Sequence, residues 1–193
     1  MPDQPLHARR IDGDDVALSE CPPRTCLVLR GRASDARLAR AVASATDLAL
    51  PAAPGDSVAG LLCSLLRLGP DEWWIVSETQ GPAELAGSLR SALVGIHAAL
   101  VDVGDACIVY ALRGANARDV LARGCPLDLH PRVFTPGRCT RTLLARAPVL
   151  VHLRAAEPSF ELYVARSYRD YAWTWLVTAA KSFFLPRGPT AGC

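Results

Sequence analysis

Leu65-Leu66-Arg67-Leu68-Gly69-Pro70-Asp71-Glu72-Trp73-Trp74-Ile75-Val76-Ser77 reads as a β-hairpin. Proline is pre-set for the second position of a type I turn, and aspartate can bond its own backbone nearby. Strands are expected over 60–67 and 73–77. Upstream, Thr25-Cys26-Leu27-Val28-Leu29-Arg30 is a strand, and Pro51 and Pro54-Gly55-Asp56 form a loop. Between them Ser34 suits the N-cap of a helix whose apolar face carries Leu38, Ala41, Val42 and Ala45. Downstream, Gly81-Pro82 opens a second helix lined by Leu85, Leu89 and Leu93 and ended by Gly95. A closing strand is expected over 98–103. The order is β-α-β-β-α-β, a ferredoxin-like arrangement.

The pattern then starts again. A strand over 107–112 leads to a helix over 114–123, with Ala117, Val120 and Leu121 inward and Gly124 and Pro126 stopping it. After a Gly/Pro-rich connector, a strand over 139–145 precedes a hairpin of 149–154 and 160–165. Alternation puts Val149, Val151 and Leu153 on one face of that hairpin, with Phe160, Leu162 and Val164 on one face of its mate. Ser167 is placed to cap the last helix, with Asp170 three residues on. The fold class is therefore α+β: two intertwined ferredoxin-like β-α-β-β-α units sharing antiparallel sheets. One domain is expected over 24–184, with pseudo-repeat halves 24–104 and 105–184. Residues 1–23, polar and proline-bearing, read as a flexible arm ordered by a partner, and 185–193 as a C-terminal tail.

The chain has 193 residues, half of them apolar and about a fifth charged, which is ordinary globular composition. Its net charge of +2, without a basic block, forecasts no nucleic-acid partner. No apolar run approaches the roughly 20 residues that span a bilayer. The polar N-terminus is not followed by a signal core, so a cytoplasmic protein is expected. Seven cysteines, none in a Cys-x-x-Cys pair, then sit in a reducing compartment, mostly as small packing residues.

The connector Arg123-Gly124-Cys125-Pro126-Leu127-Asp128-Leu129-His130-Pro131 and onward to Thr142 is the most idiosyncratic stretch. Cys125, His130 and Cys139 could supply zinc ligands, with a fourth from His97, His152 or Cys107. Their spacing lacks the pairs two to four residues apart that one tight turn presents to a metal. Cys125 follows a helix end, where the dipole does not favour a thiolate. There is no Gly-x-Ser-x-Gly, no Gly-x-Gly-x-x-Gly and no phosphate-binding loop. Arg113-Gly114 before a helix offers only generic anion geometry. No acid-base pair, nucleophile set or cofactor loop is complete. The last helix carries two apolar stripes. One is Tyr168, Tyr171, Ala172, Trp175, Leu176 and Ala179, and the other Trp173, Val177, Ala180 and Phe184. A helix apolar on two sides is covered on two sides, by the opposite half of the chain or by a partner.

Leu68-Gly69-Pro70-Asp71-Glu72-Trp73-Trp74, residues 98–104, Leu121-Ala122-Arg123-Gly124-Cys125-Pro126-Leu127-Asp128-Leu129-His130-Pro131, then Phe134, Gly137, Cys139 and Thr142, together resemble the gamma subunit of heterotetrameric sarcosine oxidase. So does Phe160-Glu161-Leu162-Tyr163-Val164 with Arg166-Ser167-Tyr168. The resemblance runs over about 60–182, more loosely from 25, and its Gly-Pro-Asp-Glu-Trp is shared across the folate-binding aminomethyltransferase-like superfamily. It implies the aminomethyltransferase type of folate-binding fold, with no cofactor and no metal bound by this chain. Alpha, beta and delta subunits would be its partners, holding NAD, tetrahydrofolate, FAD, covalent FMN and zinc among them. The complex would oxidise sarcosine to glycine with oxygen, giving hydrogen peroxide and 5,10-methylenetetrahydrofolate or formaldehyde. This chain would serve structure and assembly. Contacts with partners are expected at Cys125, Pro126, Asp128, His130 and Pro131 of the connector and at Trp173, Val177 and Phe184 of the last helix. Three other readings stay open: the equivalent subunit of a related N-methyl amino acid dehydrogenase, a stand-alone folate-binding one-carbon carrier, and a zinc-binding interaction module.

Overall fold

The structure is a computed structural model describing residues 9–184. Strands β1 (Arg10–Asp12) and β2 (Ala17–Glu20) come first, then β3 (Thr25–Gly31) and helix α1 (Ala36–Thr46). Next are β4 (Ser57–Ala59), β5 (Ser64–Arg67), β6 (Glu72–Ser77), α2 (Pro82–Ala92) and β7 (Ala98–Asp102). A 3-10 turn at Gly104–Ala106 leads to β8 (Cys107–Arg113), α3 (Ala117–Ala122), β9 (Cys139–Leu144), β10 (Ala147–Ala155) and β11 (Ser159–Ala165). A second such turn at Arg166–Tyr168 opens onto α4 (Arg169–Phe184).

The strands form two antiparallel sheets. One runs β4-β5-β6-β3-β7 and the other β1-β2-β8-β11-β10-β9. The Gly69-Pro70 hairpin is present, with Leu65 opposite Ile75 and Arg67 opposite Trp73. In the first sheet β5-β6-β3-β7 is the strand order of a ferredoxin-like unit. The second sheet repeats it, with β8, β10 and β11 in the places of β3, β5 and β6. The place of β7 beside β3 is taken in the second sheet by β2 beside β8. The duplication thus closes through the N-terminus of the chain.

Alternation along the strands sorts side chains into layers, because successive residues point to opposite faces. Leu27, Leu29, Leu65, Trp73 and Ile75 pack against Leu38 and Val42 of α1 and Leu85 and Leu89 of α2. On the far side, Tyr110, Leu112, Val151, Leu153, Phe160 and Leu162 pack against Val120 and Leu121 of α3 and Ala172 and Leu176 of α4. The intervening residues of both sheets face each other: Cys26, Leu66 and Val76 meet Val109, Cys139, Leu150 and Tyr163. The architecture is helix, sheet, sheet, helix, with three apolar clusters.

Several expectations are corrected. Residues 10–20 are not a loose arm. Val16 and Leu18 are buried in the cluster under α4, and Leu18 pairs with Leu112, so apolar burial and a ladder hold this segment within the chain itself. Residues 1–8 of the expected arm and the tail 185–193 lie outside the described residues. Strand β4 follows the Pro54-Gly55-Asp56 loop over residues given no element, since three residues show no readable period, and the strand expected over 60–67 begins only at Ser64. Asp35, not Ser34, caps α1, its carboxylate accepting from the Arg37 amide. Ser167 falls within the second 3-10 turn, so α4 begins one residue later than its capping signal suggests.

Candidate functional site

Charged and polar side chains gather where the two sheets face each other. Glu161 of β11 is 4% exposed, although its neighbours Phe160 and Leu162 point the other way into the apolar cluster. Arg24, just ahead of β3, donates to Glu161 Oε1 at 2.7 Å, and Arg154 donates to the same oxygen at 2.8 Å. The Tyr163 hydroxyl donates to Oε2 at 2.6 Å. Burial works to raise the Glu161 carboxyl, but His152, Arg24 and Tyr163 outweigh it and hold it well below the usual carboxylate range. Burial, reinforced by the Glu161 charge, pushes the Tyr163 phenol well above its ordinary value.

His152 of β10 continues the network. Its Nε2 lies 2.9 Å from the Ser57 hydroxyl of β4, and that hydroxyl is 2.8 Å from the Gly137 carbonyl. A carbonyl can only accept, so Ser57 donates to Gly137 and takes its second bond from the ring N–H of His152. On the other side of the ring, Nδ1 sits 3.5 Å from Glu161 Oε2, at ion-pair range but without a hydrogen bond. Serine, histidine and glutamate in this order look like a nucleophile relay. Their geometry makes a stitch instead. The serine proton is spent on Gly137, and neither of the two cavities described below is lined by Ser57 or His152.

A second tie joins the sheets nearer the hairpin. Glu72 of β6 receives both guanidinium nitrogens of Arg141 from β9, and Arg30 approaches its Oε2 at 2.7 Å. The Arg141 hydrogen bond is the main reason the Glu72 carboxyl is lowered. Backbone bonds run alongside, from the Ser57 amide to the Gly137 carbonyl and from the Cys139 amide to the Gly55 carbonyl.

Two cavities flank Arg24. The larger, about 490 Å³, lies between the start of α2, the segment before β3 and the β7–β8 turn, and Cys21, Cys26, Cys107, Gln80, Arg166 and Arg169 are among its walls. The smaller, about 190 Å³, is bounded by Leu62, Glu78, Arg154, Glu161 and Tyr163. Burial raises the Cys21 thiol, which accepts from Arg24 at 3.5 Å.

The connector after α3 is a fixed shape. Arg118 of α3 donates to the carbonyls of Leu129 and Phe134, clamping both ends of its central turn. Leu129 and Phe134 are buried, and Phe134 stacks on Phe160 with centroids 6.3 Å apart. Asp128 accepts the His130 amide at 2.9 Å, and His130 Nδ1 accepts the Arg132 amide at 3.2 Å. Cys125 is buried in the cluster beneath α4, whereas Pro126, Asp128, His130 and Pro131 are exposed. Cys139 faces the other side of its sheet, between the Asp56 and Arg67 carbonyls. The candidate zinc ligands are therefore held apart. Among the described residues no three His, Cys, Asp or Glu side chains group to hold a metal.

On α4 the second apolar stripe is covered in part by the chain's own N-terminal segment, and Trp175 of the first stripe by the connector region. Trp173 is half-buried between Tyr110, 5.7 Å away, and the guanidinium of Arg9, 5.7 Å from the ring centre. Phe184 lies against Gly13, and Trp175 lies so close to Gly124 that a Cβ there would run into the ring. Val177 is half-buried on the same cluster. Sequence reasoning missed Glu161, Arg24 and Ser57, and it weighed His152 only as a zinc ligand. The available signal was a polar residue inside each of two apolar strands, at positions that alternation assigns to the face away from the helices.

Comparison with known proteins agrees with this architecture. The model of the sarcosine oxidase, gamma subunit family matches residues 30–182. The sarcosine oxidase subunit gamma of Corynebacterium sp. (strain U-96) is 38% identical over 145 residues, covering 74% of this chain and 69% of that protein. The same subunit from Arthrobacter sp is 36% identical over 149 residues, 76% of this chain and 71% of that one. A chain of the heterotetrameric sarcosine oxidase from Corynebacterium sp. U-96, solved with pyrrole 2-carboxylate, superposes with a TM-score of 0.83 at 33% identity, over 93% of this chain and 91% of its own. The glycine cleavage system aminomethyltransferase T from Bartonella henselae shares the fold, with a TM-score of 0.62 at 16% identity over 86% of this chain and 46% of that one. With the family model spanning both helical layers and the clamped connector, this chain belongs to the sarcosine oxidase gamma subunit family.

Proposed function

We propose that this chain is the gamma subunit of a heterotetrameric sarcosine oxidase and serves assembly rather than chemistry. The observation that carries the reading is the likeness, along 93% of this chain, to a chain of such a heterotetramer. The interior supports the division of labour. Its acidic and basic groups are spent on one another, as Glu161 is on Arg24 and Arg154, and Glu72 on Arg141 and Arg30. FAD, covalent FMN, NAD, tetrahydrofolate and zinc then belong to the alpha, beta and delta subunits, where the flavins would carry electrons from the substrate to oxygen. The complex would take the N-methyl carbon from sarcosine, release glycine and hydrogen peroxide, and hand the carbon to tetrahydrofolate or release it as formaldehyde.

The connector is the proposed contact with alpha. Pro126, Asp128, His130 and Pro131 face outward on a backbone that Arg118 holds still, so little ordering entropy is lost on docking. Cys125 backs that ridge from inside. Trp173, Val177 and Phe184, half-covered by this chain, would complete the rim of the contact. Such a wall beside the folate-binding region would keep water from the reactive imine.

Affinity purification of the tagged chain from its native cell tests the reading. The expected result is a yellow assembly of four different subunits that forms peroxide when given sarcosine. A colourless chain purified alone, or an assembly that turns over N-methylglutamate and not sarcosine, would overturn it.

A further inference from the structure

Three of the cysteines are not scattered. Cys21, Cys26 and Cys107 all line the larger cavity, and all belong to the layer between the two sheets. Cys21 extends the β2 ladder, its amide donating to the Val109 carbonyl at 2.8 Å. Cys26 stands on β3 of one sheet, 1% exposed. Cys107 opens β8 of the other sheet and is half-buried. The chain brings the last two together through the β7–β8 turn. Val103 donates to the Cys26 carbonyl at 2.8 Å, and the 3-10 turn of Gly104–Ala106 then delivers Cys107. At that turn a Cβ on Gly104 would lie 3.0 Å from the Arg24 carbonyl, so the approach of the turn to β3 is close.

Both thiols pack in the same layer on the wall of one cavity, where the Cys107 thiol donates to the Ile108 carbonyl at 3.7 Å. The neighbouring Cys107, with burial added, raises the Cys26 thiol. The neighbouring Cys26 is the main reason the Cys107 thiol is lowered, despite its burial, and the Arg166 charge helps. Cys107, half-buried at the cavity wall, is the thiol an oxidant reaches first, and Cys26, 1% exposed behind it, is placed as the resolving cysteine.

We propose that Cys26 and Cys107 form an oxidisable dithiol, reached through the larger cavity, whose disulfide would staple the two sheets together. The oxidant is a hydroperoxide. The Cys107 sulfur attacks the peroxide O–O bond, taking one oxygen as a sulfenic acid and releasing water. The Cys26 sulfur then attacks that sulfenic sulfur, the S–O bond breaks, and a second water leaves. Overall, two thiols and one hydrogen peroxide become one disulfide and two waters. Cys21 has a different role. It accepts from Arg24, which binds Glu161, and it lies outside the pair.

The test uses the full chain in its native assembly, with hydrogen peroxide added, so that the outcome is independent of which reaction the assembly performs. After limited peroxide, remaining thiols are blocked with N-ethylmaleimide and the chain is digested without reductant. The expected product is a Cys26–Cys107 linked peptide, with two thiols per chain lost and both recovered after dithiothreitol. The Cys107→Ser chain should give no such link, and the Cys21→Ser chain should give it undiminished. Separate alkylation of Cys26 and Cys107 after peroxide would overturn the proposal, as would a link that runs through Cys21.

Discussion

Removing the charge of Glu161 would leave Arg24 buried against a neutral amide, with only Glu78, half-exposed and 3.4 Å away, to balance it. Breaking a buried pair from one side costs about 3–5 kcal/mol, because the remaining charge stays desolvated. Glu161→Gln is therefore expected to lower the unfolding free energy by that amount, read from the midpoint and slope of a urea titration. A loss below about 1 kcal/mol, the range of an exposed pair, would show that the network does not hold the sheets. The same residue sets an acid limb. Its carboxyl is held low in the folded chain, so as pH falls the unfolded chain takes up the proton first. Its contribution is full above the unfolded value of about 4.3 and is lost as pH drops toward the folded one. Glu161→Gln should flatten the stability profile below about pH 4, measured by urea midpoints across pH. At this scale the sequence was only half legible. His152 and Glu161 were visible as polar residues in apolar strands. That the opposite face would meet a second sheet rather than water is not written in either strand.

The segment Arg9–Glu20 is the element whose place was least legible. Its polar composition reads as an arm, yet two side chains decide otherwise, because Val16 and Leu18 fill the cluster beneath α4. Gly114, with φ of 106°, lets the chain pass so near Asp15 that a Cβ would collide with its carbonyl. A chain lacking residues 1–20 should lose about 1.5–3 kcal/mol for each of Val16 and Leu18. It should also uncover Trp173 and the edge of β8. The readouts are thermal melting, expected to fall, and the emission of Trp173, expected to shift red. Unchanged melting would mean that the N-terminal strands are passengers. The connector shows the converse. Its glycines and prolines announced a fixed shape, and its shape is fixed, but by Arg118 from α3, which no local reading connects to Leu129 and Phe134.

For the whole molecule, the two halves share a buried layer and cannot part without exposing it. Cys26, Leu66 and Val76 would be stripped of Val109, Leu150 and Tyr163, and Arg24 of Glu161. One cooperative transition is expected, because the shared buried layer couples the two halves. Trp73 and Trp74 report the first sheet, whereas Trp173 and Trp175 report α4 over the second. Variants keeping one pair of tryptophans should melt at the same denaturant concentration as variants keeping the other. Separated midpoints would mean two independently folding halves.

The sequence by itself determined most elements of each half from β3 onward, their repetition and the membership of the family. Alternation, turn residues and helical spacing act over a few residues, and a motif such as Gly-Cys-Pro-Leu-Asp-Leu-His is read in place. The tertiary structure alone decided which element fills the last place in the second sheet, what covers α4, and what the outer faces of the strands meet. Those outcomes join residues as far apart as Arg24 and Glu161, or Cys26 and Cys107. No local propensity encodes them, because they follow from two twisted sheets packing face to face and burying whatever the strands present between them.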